Sequence, residues 1–268
     1  MATEPQIKNY GYIPDKIADE DYVLGSLQIP TEVLQADGQW DNFIPASEIQ
    51  RTEKYETYGC TIFGTQNCLE FLFKRLFGEL KNWSDRYVYI FTGTRPPGNS
   101  PKTIIEAIRK QCGMIDEKLL PMSGAITYEE YIQPDPLPVL LTWKGEELLN
   151  NYKINYEWVF QDSQIHNRNE AIKTALQYSP LGIAVYAWLY DFEEKVYVRP
   201  KGKEDNHWCV LYGYEEGQYW KIYDSYDSTL KQLDWNFGFE RCLRYRISKI
   251  EHINWWQVIK NYFLSLFK

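Results

Sequence analysis

The chain has 268 residues, of which 44% are hydrophobic and 16% aromatic, and its formal net charge is −8. This length suits one large domain or two modest ones, and the hydrophobic content argues against a disordered chain. The negative charge, without any basic block, argues against a nucleic-acid backbone as the main partner. The five cysteines form no CxxC pair, so the sequence predicts neither a structural zinc site nor a full disulfide framework.

The first 37 residues are polar, with short strand-like pieces at 22–25 and 27–29. We interpret residues 1–37 as an extended N-terminal arm laid over the body. They lack the basic start and apolar stretch of a signal peptide, so we expect a cytoplasmic protein with reduced thiols.

The clearest predicted helix covers residues 60–77, where apolar side chains fill most of the circumference. Such a helix should be largely buried. A short helix is predicted to start at Ser84, and another over residues 103–113, with Gly113 suited to its end. The apolar run LPVLLTW (137–143) is interpreted as a strand, and residues 168–178 as a helix.

The segments LGIAVYAWLY, WCVLYGY, WKIYDSY and RCLRYRI follow Pro180. They are short, aromatic and β-branched, and their spacing is typical of an antiparallel sheet or barrel. The sequence therefore predicts an α+β domain over residues 38–250. Residues 38–135 form a mainly helical half and residues 136–250 a mainly β half.

Three residues combine into a candidate catalytic group. Cys60 opens the buried helix, where unpaired N–H groups and the helix dipole favour a thiolate. His207 lies at the start of a strand, where its imidazole is placed to act as a base beside a thiol. Asp224 ends the next strand and can orient the ring if the two strands pair across the turn near Gly217.

These segments resemble the papain-like cysteine peptidases. CTIFGTQNCLE is similar to the nucleophile helix of that family, with an aromatic residue at Phe63 and a glutamate at Glu70. HWCVLYGY resembles the family's histidine strand, and Asp224-Ser225-Tyr226 stands in the place of its Asn-Ser-Trp motif. His207 follows Cys60 by 147 residues, within the papain-type range of roughly 130–150.

The resemblance covers roughly residues 40–246 and implies a cleft between the two halves. The loop containing Gly98 and Asn99 is similar to the family's Gly-rich loop, so these two residues are candidates for substrate binding. The alternative is a turn before a helix. The family's oxyanion-hole glutamine lies six residues before the cysteine, where this chain has Lys54. Gln50, ten residues before, is the candidate replacement, and a solvated loop is the alternative.

The resemblance implies hydrolysis of a polypeptide substrate through a thioester on Cys60, with no metal or organic cofactor. Two alternatives stay open. One is a catalytically inactive structural or binding protein with this fold, of phage or other virion-associated origin. The other is an acyltransferase like transglutaminases or arylamine acyltransferases, which place the histidine much closer to the cysteine. By themselves, His207 is equally a satisfied edge histidine, and the other four cysteines are interpreted as small core residues.

The final segment, residues 251–268, is predicted to be an amphipathic helix outside the peptidase-like region. Its apolar residues recur at helical spacing from Trp255 to Phe267, and it is too short and too polar to span a bilayer. We expect it to dock on its own domain, on a partner protein or on a membrane surface.

Overall fold

The computed structural model describes residues 9–18, 21, 32–161, 167–227 and 230–251. The strand-like pieces predicted at 22–25 and 27–29 lie outside these residues, as does the predicted C-terminal helix apart from its first residue. No helix among the described residues is long and apolar enough to cross a membrane.

Among the described residues, four of the six α-helices precede residue 136, and all eight strands of the sheet follow residue 151. The helices are α1 (Cys60–Phe77), α2 (Asp85–Phe91), α3 (Pro101–Ala107), α4 (Tyr128–Tyr131), α5 (Val139–Asn151) and α6 (Arg168–Leu176). The strands are β1 (Tyr152–Phe160), β2 (Leu181–Val185), β3 (Leu189–Asp191), β4 (Val196–Val198), β5 (His207–Glu215), β6 (Tyr219–Tyr223), β7 (Leu230–Asp234) and β8 (Cys242–Lys249).

The strands form one sheet in the order β1-β8-β2-β5-β6-β7-β4-β3. All neighbouring pairs are antiparallel except β4 and β7, which pair in parallel through Tyr197 and Leu233. The predicted hairpin of β5 and β6 is confirmed, with Val210 opposite Tyr223. This hairpin lies in the middle of the sheet, so residues at its open end are held from both sides.

Helix α1 is the centre of the helical half. Fourteen of its residues, Cys60 to Phe73, are buried, as its apolar circumference predicts. Helix α1 packs directly on β5. A Cβ atom added at Gly64 would come within 2.8 Å of the Trp208 ring and 3.3 Å of the Trp208 carbonyl oxygen. This glycine lets the start of α1 and the start of β5 approach each other.

The interpretation of residues 137–143 as a strand is wrong. Pro138 precedes a helix, α5, which runs from Val139 to Asn151. The apolar run is the first turn and a half of this helix, and Val139, Leu140 and Trp143 are each at least 60% exposed. A short apolar run has no periodicity of its own, so only the polar residues that follow it distinguish a helix from a strand.

Part of the N-terminal segment is described, and residues 9–18 lie across the body. We call residues 9–18 the arm segment. Its Asp15 accepts a hydrogen bond from the backbone N–H of Lys102 at 3.2 Å, and Arg241 donates to the Asp15 carbonyl oxygen. The arm segment is therefore attached to both halves of the domain.

Candidate active site

Cys60 is the first residue of α1 and is fully buried. Burial raises the pKa of its thiol well above the usual value, although the backbone of Trp208, the residue after His207, acts in the opposite direction. The negative charges of Glu56 and Asp224 also raise the pKa. In this structure the helix start alone does not produce a thiolate.

His207 and Asp224 form the predicted pair. The His207 Nε2 atom lies 2.7 Å from Asp224 Oδ1, and both side chains are fully buried. Asp224 follows the last residue of β6, so the pairing of β5 with β6 brings the two residues together across the sheet. This bond fixes the ring and the tautomer, because an ionised carboxylate can only accept a hydrogen bond, so Nε2 carries the proton.

The other ring nitrogen of His207 is available. Within the described part of the chain, Nδ1 is buried and makes no hydrogen bond. The ring plane is held by Tyr10 at 5.2 Å and Trp188 at 5.5 Å between ring centroids, both edge-on. A ring held by Asp224 through Nε2 can exchange a proton only through Nδ1.

Asp224 is ionised. Burial opposes its charge, but the neighbouring His207 imidazole and the Lys231 ammonium group outweigh this effect and lower the pKa to about 2. Lys231, on β7, approaches the second carboxylate oxygen, with Nζ 2.9 Å from Oδ2. Sequence reasoning missed this lysine. The only signal was its position two residues before the buried Leu233, on the inward face of an alternating strand.

Gln50 is buried rather than part of a solvated loop. Its backbone N–H donates to the Ser225 carbonyl oxygen at 2.8 Å, and its side-chain oxygen accepts from Ser225 Oγ at 3.2 Å. Ser225 is the residue after Asp224, so Gln50 is tied to the histidine–aspartate pair. The Gln50 Nε2 group donates to the backbone carbonyl oxygen of Tyr10 at 3.0 Å and to Glu56 Oε1 at 3.2 Å.

The arm segment lies across these residues, which the sequence did not predict. The Tyr10 N–H donates to the carbonyl oxygen of Asn206, the residue before His207, at 3.0 Å. The Tyr10 carbonyl oxygen is bound by Gln50, on the other side of the site. The backbone of a single arm residue therefore bridges the β half and the helical half next to His207.

Gly98 and Asn99 bind the next residues of the arm segment. The Asn99 N–H donates to the Gly11 carbonyl oxygen, and the Ile13 N–H donates to the Asn99 carbonyl oxygen, both at 3.0 Å. Tyr12 and Asn99 run in parallel at this bridge. A Cβ atom at Gly98 would lie 2.0 Å from the Gly11 carbonyl oxygen, so only glycine permits this approach. The two residues predicted to bind substrate thus bind a peptide main chain from the protein itself.

The remaining cysteines are all buried and free, in agreement with their interpretation as core residues: Cys68, Cys112, Cys209 and Cys242. No cluster of metal-ligating side chains suited to an ion is present among the described residues.

Solved structures with a similar fold are papain-like cysteine proteases. Digestive procathepsin L 3 from the larval midgut of Tenebrio molitor has a TM-score of 0.57 and 15% identity, over 88% of this chain and 76% of the other. The Amb a 11 cysteine protease of ragweed pollen, in its proform, has a TM-score of 0.55 and 16% identity, over 85% and 69%. Bromelain of Ananas comosus, in complex with the E64 inhibitor, has a TM-score of 0.53 and 15% identity, over 77% and 96%.

No family model matches the chain, and a search of curated proteins by sequence finds no match. The structural likeness, at 14–16% identity, establishes the fold. The described chain is a divergent α+β structure of the papain-like type, with an eight-stranded sheet beside a helical half.

Proposed function

We propose that the protein is a cysteine peptidase with Cys60 as nucleophile, His207 as general base and acid, Asp224 as the residue that orients the ring, and Gln50 as an oxyanion donor. The observation that carries the proposal is the 2.7 Å bond between His207 Nε2 and Asp224 Oδ1, while Nδ1 makes no hydrogen bond to any described residue. The strand that bears His207 packs on the helix that begins with Cys60.

The reaction follows from these roles. His207 takes the thiol proton, and the Cys60 sulfur attacks the carbonyl carbon of the peptide bond. The carbon–nitrogen bond breaks as the imidazolium gives its proton to the leaving amine. A water molecule, deprotonated by His207, then attacks the thioester and releases the acid and the thiol. Gln50 Nε2 and a backbone N–H at the start of α1 would stabilise the oxyanion in both steps.

The described form is closed in this proposal. Cys60 is fully buried, and the Gln50 amide that would bind an oxyanion already binds the carbonyl of Tyr10. Displacement of the arm segment would free Gln50 and Asn99 for a substrate main chain. In support, the two precursor structures named above match a larger share of this chain than bromelain does, 88% and 85% against 77%.

The second candidate is an inactive binding protein with the same fold. The raised pKa and full burial of Cys60 favour it, because a protonated thiol without access cannot react. Under this alternative the arm segment would stay in place, and the peptide-binding residues would serve recognition alone.

The test is covalent labelling with an epoxysuccinyl probe, combined with hydrolysis of a casein-derived peptide mixture. We expect one adduct, on Cys60, and hydrolysis that Cys60→Ser abolishes while the control Cys68→Ser retains it. The absence of both adduct and hydrolysis, also after displacement of the arm segment as described below, would favour the inactive binding protein.

A further inference from the structure

Lys231 is a buried lysine within the site. Its side chain is 1% exposed, although its neighbour Leu230 is 53% exposed. The strand pattern explains why the lysine is buried and the neighbouring leucine exposed, since Lys231 and Leu233 share the inward face of β7. Desolvation of an ammonium group is costly, and natural chains keep such groups buried only with a partner.

That partner is the carboxylate that also holds His207. Lys231 Nζ lies 2.9 Å from Asp224 Oδ2, while Asp224 Oδ1 lies 2.7 Å from His207 Nε2. One buried carboxylate therefore contacts His207 through one oxygen, which also accepts a hydrogen bond from the Tyr226 N–H at 3.0 Å, and the ammonium group of Lys231 through the other oxygen. Lys231 also pairs with Asp227 at 2.5 Å, but that carboxylate is 37% exposed, so solvent screens its charge.

The ammonium group is further held in place by aromatic rings. It lies 5.1 Å from the centroid of the Trp188 ring and 5.7 Å from that of Tyr197. Trp188 also packs against His207, at 5.5 Å. The lysine, the aspartate and the histidine therefore form one packed group with Trp188.

We propose that Lys231 is a positioning residue that fixes Asp224 through its second oxygen and offsets its negative charge. His207 would then be oriented by a group that has the geometry of a carboxylate but little net charge. This inference rests on the proposed function for its catalytic meaning. It concerns the position at which the family resemblance has asparagine, a neutral residue.

The physical reason lies in what an isolated carboxylate does to imidazole. An opposite charge within about 4–6 Å shifts a protonation equilibrium by about 1–3 pH units. A bare Asp224 would hold the imidazolium form too strongly, and an overstabilised imidazolium is a poor acid towards a leaving amine. The ammonium group on the other oxygen cancels part of this effect.

Other titratable groups also surround this group of residues. They come from every neighbouring element: Tyr10 of the arm segment, Glu56 before α1, Cys60 of α1, Tyr197 of β4, Cys209 of β5, and Tyr226 and Asp227 after β6. A comparison among variants that leave all seven unchanged isolates the contribution of Lys231.

The experiment follows the ring ¹⁵N resonances of His207 against pH in the full chain, for wild type, Lys231→Met, Asp224→Asn and the double variant. The chain has only three histidines, so assignment is direct. Relative to wild type, we expect the titration midpoint to rise by about one pH unit in Lys231→Met and to fall by about one in Asp224→Asn. In the double variant, which removes both charges, the titration midpoint should lie within about half a pH unit of the wild-type midpoint.

A matched control is Lys173→Met, since Lys173 is also ion-paired, to Glu170 at 2.7 Å and to Glu216 at 2.9 Å, but on α6 and outside the site. It should leave the midpoint unchanged. If Lys231→Met does not fold, the comparison of the double variant with Asp224→Asn is decisive, because in that pair the lysine is removed without leaving a buried carboxylate deprived of its ammonium partner. Equal midpoints in that pair would overturn the inference, as would an unchanged midpoint in a folded Lys231→Met.

Failure of the proposed function gives a different result. The midpoints can shift as expected in a protein that hydrolyses nothing, in which case only the peptidase proposal is lost. In an active enzyme, the alkaline limb of the kcat/KM profile for peptide hydrolysis should move with the midpoint. A purely structural lysine would lower stability without moving either.

Discussion

Replacement of Gly11 by alanine should open the candidate active site. Gly11 has a φ of 113°, and a Cβ atom there would lie 2.0 Å from the carbonyl oxygen of Tyr58. The Tyr58 atoms that this Cβ would meet all belong to the backbone, so no side-chain rotation relieves the overlap. An alanine in such a conformation costs about 1–3 kcal/mol even before the overlap is counted.

The size of the expected effect on Cys60 accessibility follows from the hydrogen bonds that hold the arm segment. Four hydrogen bonds attach residues 10–13 to Asn206, Gln50 and Asn99. At about 1 kcal/mol each, they stabilise the closed form by about 4 kcal/mol, which corresponds to roughly 10³-fold protection. A strain of about 1–3 kcal/mol in the closed form lowers this protection by a factor of about 5 to 150.

The assay is the rate of Cys60 alkylation by iodoacetamide at pH 7, measured by peptide mapping, with Cys68 as an internal reference for unfolding. We expect Cys60 to react about 5- to 150-fold faster in Gly11→Ala, with Cys68 unchanged. The control is Gly202→Ala, since Gly202 has a φ of 72° and no atom within 4 Å of an added Cβ. A rate that does not change, or that rises equally at both cysteines, would refute the reasoning.

Three further predictions concern the site and its support. Gln50→Ala should reduce the turnover of a peptide substrate by on the order of 10²-fold with little change in KM, measured by steady-state kinetics; an unaffected turnover would limit Gln50 to tethering the arm. Asp224→Ala should lower the free energy of unfolding in urea by about 3 kcal/mol, because it removes a partner from the buried Lys231, and Asp224→Asn should cost less. Stability should also fall as pH rises from about 4 to about 8, because burial raises the pKa of Glu48 to about 8 and that of Glu117 to about 7. The folded protein keeps protons that the unfolded chain releases, so Glu48→Gln and Glu117→Gln should flatten the dependence of the thermal midpoint on pH. An equally steep dependence in both variants would contradict this assignment.

Much of the fold follows from local sequence patterns. The buried helix at Cys60, the β5–β6 hairpin and the approach of His207 to Asp224 were all predicted, because strong periodicity and a short turn determine them locally. The short helix after Ser84 was also predicted, and Ser84 caps it by accepting a hydrogen bond from the Tyr87 N–H.

What the sequence did not predict depends on contacts between distant segments. Lys231 is a charged residue on β7, and the inward face of this strand is set by its pairing with β6 and β4. The raised pKa of the Cys60 thiol has the same origin. A helix start favours the thiolate, but complete burial opposes it more strongly, and no local pattern reveals that burial.

The sheet order has a consequence for how this site can vary. His207, Asp224 and Lys231 belong to or directly follow three strands that are successive neighbours, β5, β6 and β7. The three side chains therefore form a diagonal row across the strands, since Lys231 lies opposite Ile222, two residues before Asp224, and His207 lies three residues before Val210, which is opposite Tyr223. The relative positions of the three side chains in this row depend on the register of the strands and not on the number of residues in the connecting turns. Insertions or deletions after Glu215 or after Asp227 can thus accumulate in descendants of this chain without separating the three groups. A one-residue slip of β7, in contrast, would turn Lys231 outward and place Leu230 or Gln232 against Asp224.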